Sequence, residues 1–111
     1  MLNQIVMVGR LVRDVEVEEK ENGKKFANIT IAIPRSFKNA EGQYDTDFID
    51  CVVFDSIATN TSEYCKKGDI IGVKGRLQSS TYEKEDGSKV YKMEVIAEKI
   101  TFLSSRRNDE E

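Results

Sequence analysis

The chain has 111 residues, of which 39% are hydrophobic, with one proline, two cysteines, no histidine and no tryptophan. This length and composition predict one globular domain rather than a disordered chain, and no apolar run approaches the length of a membrane span. The formal net charge of -3 argues against a uniformly basic surface, although local charge placement decides what a surface attracts.

Enzyme chemistry has little support in these residues. Without histidine, the commonest general base and the commonest zinc ligand are absent. Cys51 and Cys65 are too isolated to form a zinc site, and with no secretory signal and no C-x-x-C motif we expect buried, reduced thiols rather than a disulfide. We therefore expect a cytoplasmic protein that is not an enzyme and that uses neither a metal nor a cofactor.

The first half of the chain contains three strand-like segments. The first is residues 4–11, in which Ile5 and Met7 alternate with Val6 and Val8, so that both sides of the strand are apolar there. The turn Asn22-Gly23 predicts a hairpin that leads into residues 25–34, where isoleucines alternate with polar or small residues. A long polar loop at 35–45 then precedes the third strand at 46–54.

The segment "DFIDCVVFD", residues 47–55, divides into two faces under the period of a strand. One face is apolar throughout, whereas the other places Asp50 between Phe48 and Phe54. Burying an unpaired carboxylate costs several kcal/mol, so we expect the second face to meet solvent. The alternative for the two phenylalanines is a core strand that is buried on both faces.

Residues 55–68 change to a helical period. One stripe of this predicted helix carries Ile57, Thr61, Tyr64 and Cys65, so we expect Tyr64 in the core. Asp55 or Ser56 is expected to cap the start of the helix, and Gly68 to close its end.

Two long strands end the chain, joined by a turn at residues 86–87. The fourth strand, residues 69–82, contains two glycines, which indicate sharp bending or a close backbone approach. The last strand, residues 88–103, is expected to break near residues 97–98.

Three strands, one short helix and two more strands predict an all-β OB-fold. This fold is a five-stranded, partly open Greek-key barrel, here with the helix between strands three and four. A ferredoxin-like fold would need a helix between the first two strands, where residues 14–24 are too short and too charged, and a simple sandwich would not require the helix. We assign residues 1–104 to the barrel and residues 105–111 to a short charged tail that we expect to be disordered.

Aromatic and basic side chains are interleaved on the polar side of the predicted barrel. An aromatic ring can stack on any base while cations follow the phosphates, so this pattern predicts a surface for single-stranded nucleic acid. The predicted site residues are Arg10, Arg35, Phe37, Lys38, Phe48, Phe54, Lys74, Arg76 and Tyr82. Each also has a plain structural interpretation: a solvated charge, a loop anchor at Phe37, or a surface tyrosine at Tyr82.

The chain resembles the bacterial single-stranded DNA-binding protein (SSB) family over roughly residues 1–104. The matching segments are "LNQIVMVGRLVRD", "FANITIAI", "DFIDCVVFD", "YCKKGDIIGVKGRLQSSTY" and "DGSKVYKMEVIAE". The resemblance implies that the stacking aromatics are Phe37, Phe48, Phe54 and Tyr82. It implies sequence-independent binding of single-stranded DNA in replication, recombination and repair, and a homotetramer built as a dimer of dimers, with the first strand helping to pair subunits. The expected location is the bacterial cytoplasm, at the nucleoid.

The chain also departs from the family pattern. Phenylalanine and tyrosine stand where some members carry tryptophan, and Asp50 stands where the family usually has a neutral or basic residue, so we expect weaker and more salt-sensitive binding. The sequence lacks the long linker and the acidic Pro-Phe tip through which family members recruit partner enzymes. Two alternatives stay open, a truncated sequence and a short paralogue, and we do not expect recruitment of repair enzymes through such a tip.

A second class of function stays open at this point: an OB-fold protein–protein interaction module that uses the same aromatic face. The acidic charge balance and Asp50 favour it. Salt separates the two functions, because DNA binding weakens steeply as salt rises, whereas an apolar protein interface should hold or strengthen.

Overall fold

The architecture comes from a computed structural model that describes residues 1–104. In chain order the elements are β1 (Ile5–Leu11), β2 (Glu18–Glu19), β3 (Lys25–Lys38), β4 (Tyr44–Phe54), α1 (Asp55–Tyr64), β5 (Ile70–Glu83) and β6 (Lys89–Ser104). The helix lies between the third and fourth long strands, as the sequence predicts. The predicted tail, residues 105–111, lies outside the described residues. None of the helices in residues 1–104 is long and apolar enough to cross a membrane.

The strands form one sheet in the order β1-β5-β6-β4-β3-β2, and a further pairing between β1 and β3 closes it into a barrel. Closure occurs at the end of β1, where Arg10 lies opposite Ala32 and Leu11 opposite Ile31. The β4–β6 pair is parallel, and all other pairs are antiparallel. The predicted five-stranded OB barrel is therefore confirmed, with the two-residue β2 added beside the start of β3.

The barrel interior is filled by the inward positions of the strands and by one face of α1. Ile29 and Ile31 from β3 and Val53 from β4 are almost completely buried, as the alternation of each strand predicts. Ala58 and Thr61 are the buried residues of α1. This core holds the outward side chains of β3 and β4 in fixed positions.

The segment predicted as a polar loop, residues 35–45, is mostly an extension of the β3–β4 hairpin. Strand β3 continues to Lys38, and β4 begins at Tyr44. The Asn39 side chain organises the turn between them, because its Oδ1 accepts hydrogen bonds from the backbone N–H groups of Glu41 and Gln43 at 2.9 and 3.0 Å. An asparagine side chain that satisfies turn amides in this way lets the strands pair beyond the barrel.

Helix α1 differs from the prediction at both ends. Its N-cap is Phe54, and no side chain caps the first turn, so the predicted caps at Asp55 or Ser56 are wrong. Its C-cap is Cys65, three residues before the predicted closing glycine. Tyr64, predicted in the core, is 60% exposed. The buried positions of the helix region are Ala58, Thr61 and Cys65, so the helix is turned slightly from the predicted stripe and Tyr64 lies at its edge, with its ring 5.9 Å from that of Phe102.

The predicted break in the last strand is a bulge rather than an end. Lys74 pairs with Lys99 and Gly75 with Ala97, so one residue of β6, Glu98, has no partner in the ladder. Gly75 lies against the β6 backbone here, since a Cβ at this position would overlap the carbonyl oxygen of Ile96. The close backbone approach predicted from the glycines of β5 is therefore present at Gly75.

Candidate nucleic-acid interface

The outward positions of four neighbouring strands form one continuous surface, which we call the outer face. It follows from the register of β3 with β4, β4 with β6 and β6 with β5, together with the alternation of side chains along each strand. The outer face comprises Phe26, Asn28, Thr30 and Ala32 of β3, Phe48, Asp50, Val52 and Phe54 of β4, Lys92, Glu94 and Ile96 of β6, and Arg76, Gln78, Ser80 and Tyr82 of β5.

Phe48 is the most exposed phenylalanine of this face, at 65%. Its neighbour across the β3–β4 pair is Ala32, whose short side chain leaves the ring uncovered. The inward neighbour along the strand, Ile49, is half-buried, and the residues farther along, Cys51, Val52 and Val53, are buried. The alternative of a strand buried on both faces therefore does not hold at Phe48, although it does hold at Val52.

Phe54 has a more enclosed environment than Phe48. It is half-buried and lies opposite Phe26 in the β3–β4 pair. The Lys20 ammonium lies 5.3 Å from the centre of the Phe26 ring and 5.5 Å from that of Phe54, within the range of a cation–π interaction. The two rings and this lysine form a mixed aromatic and cationic patch at one end of the outer face.

The other two predicted aromatics lie on hairpin arms. Phe37 is exposed near the end of β3, in the β3–β4 hairpin. Beside it, the Lys38 ammonium lies 5.8 Å from the centre of the Tyr44 ring. Tyr82 is exposed near the end of β5, opposite Val90 in the β5–β6 hairpin. Both arms therefore present an aromatic ring to solvent.

All three predicted arginines already bind protein groups. Arg35 donates three hydrogen bonds to the Asp47 carboxylate, at 2.9, 3.2 and 3.3 Å, and this raises the pKa of Arg35 and lowers the pKa of Asp47. Arg76 donates to Gln78 Oε1 at 2.8 Å, and Arg10 donates to the carbonyl oxygen of Gly68 at 2.6 Å. These contacts hold each guanidinium in a defined position, and each retains further N–H donors.

Lys74 occupies a different environment from these arginines. It lies opposite Lys99 in the β5–β6 pair and opposite Val6 of β1, and it is exposed. Two ammonium groups on neighbouring strands give this end of β5 a local positive charge.

A groove of about 280 Å³ lies on the outer face, and residues of β4, the strand that carries Phe48, form part of its lining. Its lining residues are Arg13, Asn28, Asp50, Cys51, Val52, Lys92, Met93 and Glu94. Two of them, Arg13 and Lys92, are cations that are not among the predicted site residues. Arg13 lies beyond the end of β1, where strand alternation gives no prediction, whereas Lys92 could have been found by extending the alternation along the last strand.

Asp50 is not an isolated carboxylate in this groove. Arg13 Nη2 donates a hydrogen bond to Thr30 Oγ1 at 2.6 Å, and Thr30 Oγ1 donates one to Asp50 Oδ1, also at 2.6 Å. Thr30 and Asp50 are direct cross-strand neighbours in the β3–β4 pair, which explains why the second bond forms. We refer to these three residues as the Arg13–Thr30–Asp50 chain.

The two cysteines are buried free thiols, as the sequence predicts. Burial raises the pKa of both Cys51 and Cys65 to about 11, with smaller contributions from Asp50 and Asp69 respectively. Both are therefore protonated at neutral pH. Within residues 1–104, no three potential ligand side chains come together in a group that could hold a metal ion.

Comparison with known proteins relates this chain to one family. The family model described as the single-strand binding protein family matches residues 2–103. Single-stranded DNA-binding protein B of Bacillus subtilis (strain 168) is 41% identical over 106 residues, which cover 96% of this chain and 94% of that protein. Single-stranded DNA-binding protein 1 of Staphylococcus aureus (strain MSSA476) is 43% identical over 110 residues, covering 99% of this chain and 70% of that protein.

Proposed function

The chain belongs to the single-strand binding protein family, and we propose that it binds single-stranded DNA without sequence preference. The observation that carries this proposal is Phe48, a large apolar ring that stands uncovered on the outer face. Any base can stack on such a ring because every base has a π-face. The proposed role is to cover and protect single strands during replication, recombination and repair in the bacterial cytoplasm, at the nucleoid.

We assign stacking to Phe37, Phe48, Phe54 and Tyr82. Phe48 and the two hairpin aromatics are exposed, whereas stacking on Phe54 requires Lys20 to move from its ring. The displaced ammonium would then be free to contact a phosphate. Phosphate contacts are assigned to Lys38 and Lys74, and to the remaining donors of Arg10, Arg35 and Arg76.

Binding of this kind needs no chemistry beyond stacking and charge. We therefore propose that the chain has no catalytic activity and uses neither a cofactor nor a metal.

We propose a homotetramer built as a dimer of dimers. Strand β1 supports this assembly, because β3 pairs with only Arg10 and Leu11 at its end, while Ile5–Gly9 pair along one edge with β5. Val6 and Val8 point outward on this strand and are 71% and 53% exposed. An apolar strand with one free edge is stabilised by pairing with a second copy.

The test is fluorescence anisotropy with labelled oligo-dT and with a duplex of the same length, each at low and high salt. We expect oligo-dT to bind much more tightly than duplex, since stacked bases in a helix cannot reach the rings, and its affinity to fall as salt rises. Equal affinity for the duplex would refute the proposal.

A protein partner on the same outer face is the second candidate, and the carboxylates of Asp50 and Glu94 in the groove favour it. This candidate predicts no measurable oligo-dT binding at either salt concentration. Binding to a protein partner would hold or strengthen as salt rises, which the same titration format can measure once such a partner is captured.

A further inference from the structure

The Arg13–Thr30–Asp50 chain has only one possible direction. A guanidinium can donate but cannot accept a hydrogen bond, so Thr30 Oγ1 must accept from Arg13. A hydroxyl has one proton, which is then left for the Asp50 carboxylate, an acceptor. The Thr30 side chain is held in this orientation by its burial, at 7% exposure, and by its cross-strand position beside Asp50.

We propose that Asp50, acting through Thr30, is a positioning residue that holds the Arg13 guanidinium in the groove as a phosphate-binding group. This inference rests on the proposed function. It reverses the effect expected of Asp50 from the sequence, where a carboxylate on the outer face should only repel DNA. In the structure that carboxylate fixes a cation beside the same groove.

The backbone supports this arrangement. Val12 N–H donates to the carbonyl oxygen of Thr30 at 3.1 Å, which places Arg13 next to β3 immediately after β1 ends. The side chain of Arg13 itself remains exposed. An exposed arginine loses rotamer freedom when it binds a phosphate, and a residue that is already held in place loses less. The bond to Thr30 uses one of five N–H donors and leaves the rest of the fork for a phosphate.

Two substitutions at Asp50 separate positioning from charge. Asp50→Asn and Asp50→Ala remove the same negative charge, but the asparagine oxygen can still accept from Thr30, whereas alanine cannot. We expect Asp50→Ala to bind oligo-dT about 2- to 10-fold more weakly than Asp50→Asn, the range for one rotamer-rich side chain that must be immobilised on binding. Thr30→Val changes no charge and should bind oligo-dT more weakly than the wild type by a similar factor. Thr30→Ser keeps the hydroxyl and should bind with the wild-type affinity.

The Arg13→Gln variant distinguishes phosphate binding by Arg13 from a merely structural role. It should weaken binding and lower the slope of log affinity against log salt by about one, the effect of losing one phosphate contact. In the Arg13→Gln background the difference between Asp50→Asn and Asp50→Ala should disappear.

The outcomes are distinguishable. Equal affinities of Asp50→Asn and Asp50→Ala, or a difference that persists without Arg13, would overturn the positioning role while leaving single-stranded DNA binding intact. Absence of oligo-dT binding by the wild-type chain would instead overturn the proposed function, and the role of Arg13 with it. Thermal unfolding of each variant, measured in parallel, shows that the compared proteins are folded.

Discussion

At the scale of single residues, Phe48 makes the most direct prediction about binding. Phe48→Ala should weaken oligo-dT binding by about 1–3 kcal/mol, the usual loss for one stacked base. The free energy of unfolding should change little, because removing a ring that is 65% exposed leaves no cavity in the core. Anisotropy titration and urea unfolding of the same variant measure the two quantities.

Tyr64→Ala is the matched control for this variant. Tyr64 is similarly exposed but lies at the end of α1 beside Phe102, away from the outer face. We expect its DNA affinity to stay at the wild-type value. A Phe48→Ala variant that lost roughly 3–5 kcal/mol of stability with normal binding would mean that Phe48 is a core residue.

The buried thiols predict a fall in stability at alkaline pH. An unfolded cysteine ionises near pH 9.0, whereas Cys51 and Cys65 ionise in the folded chain at about 11 because burial disfavours the thiolate. Between these values the unfolded state loses protons that the folded state keeps, so the free energy of unfolding falls as pH rises from about 9 to about 11. The expected loss is on the order of 2–3 kcal/mol per thiol.

Urea unfolding at a series of pH values measures this loss. In a Cys51→Ala, Cys65→Ala variant the stability at neutral pH should be lower, but its decline above pH 9 should be smaller than that of the wild type. If stability declined equally in the variant and the wild type, the decline would come from groups other than these two thiols.

At the scale of elements, the bulge between β5 and β6 depends on Gly75. Gly75→Ala should destabilise the fold by about 1–3 kcal/mol or more, because the new Cβ would overlap the Ile96 carbonyl and force the two backbones apart. Gly72→Ala on the same strand is the control, since its Cβ would meet Leu103 and Thr101 at 3.6 Å, an ordinary contact. Urea unfolding should show a clear loss only for Gly75→Ala, and equal losses would contradict the close approach.

The order of elements was predictable because each element has a local pattern of apolar and polar residues in the sequence. Alternation identified five strands, and a change of period identified the helix between the third and fourth of them. The details that were wrong depend on tertiary packing. The rotation of α1 that exposes Tyr64 is set by how the helix seats on the barrel, and the extension of the β3–β4 hairpin is set by hydrogen bonds to one asparagine side chain.

The candidate site was predictable to the same extent. Alternation placed Phe48 and Asp50 on one face, because both lie within a regular strand. It could not find Arg13, which follows the strand end, nor the hydrogen bonds that join it to Asp50 through a residue 20 positions earlier in the chain. Which residues face each other on neighbouring strands cannot be deduced until the register of the sheet is known.

At the scale of the whole molecule, an acidic chain can still present a DNA-binding surface because its charges are unevenly placed. Two of the acidic residues form β2, Glu18 and Glu19, and both are exposed there. Near the groove, Arg13 and Lys92 balance Asp50 and Glu94. The net charge of -3 therefore describes the molecule as a whole and not the outer face.

The proposed assembly depends on one element of the chain, strand β1. Val6 and Val8 form an exposed apolar pair on β1, and Val6 lies opposite Lys74 in the β1–β5 register. Covering that pair with a second copy removes apolar area from water and completes the strand edge. We therefore expect the wild-type chain to have four times the 12.6 kDa chain mass by light scattering at micromolar concentration.

Val6→Glu should lower that mass, because a carboxylate on each of two facing copies of β1 would be desolvated and brought beside its like charge. Val17→Glu, a substitution of the same kind at a partly exposed valine between β1 and β2, should leave the mass unchanged. The Val6→Glu chain should remain folded by thermal unfolding, since the side chain it replaces is 71% exposed. A wild-type monomer would refute the assembly, and a Val6→Glu tetramer would mean that copies associate through a surface other than β1.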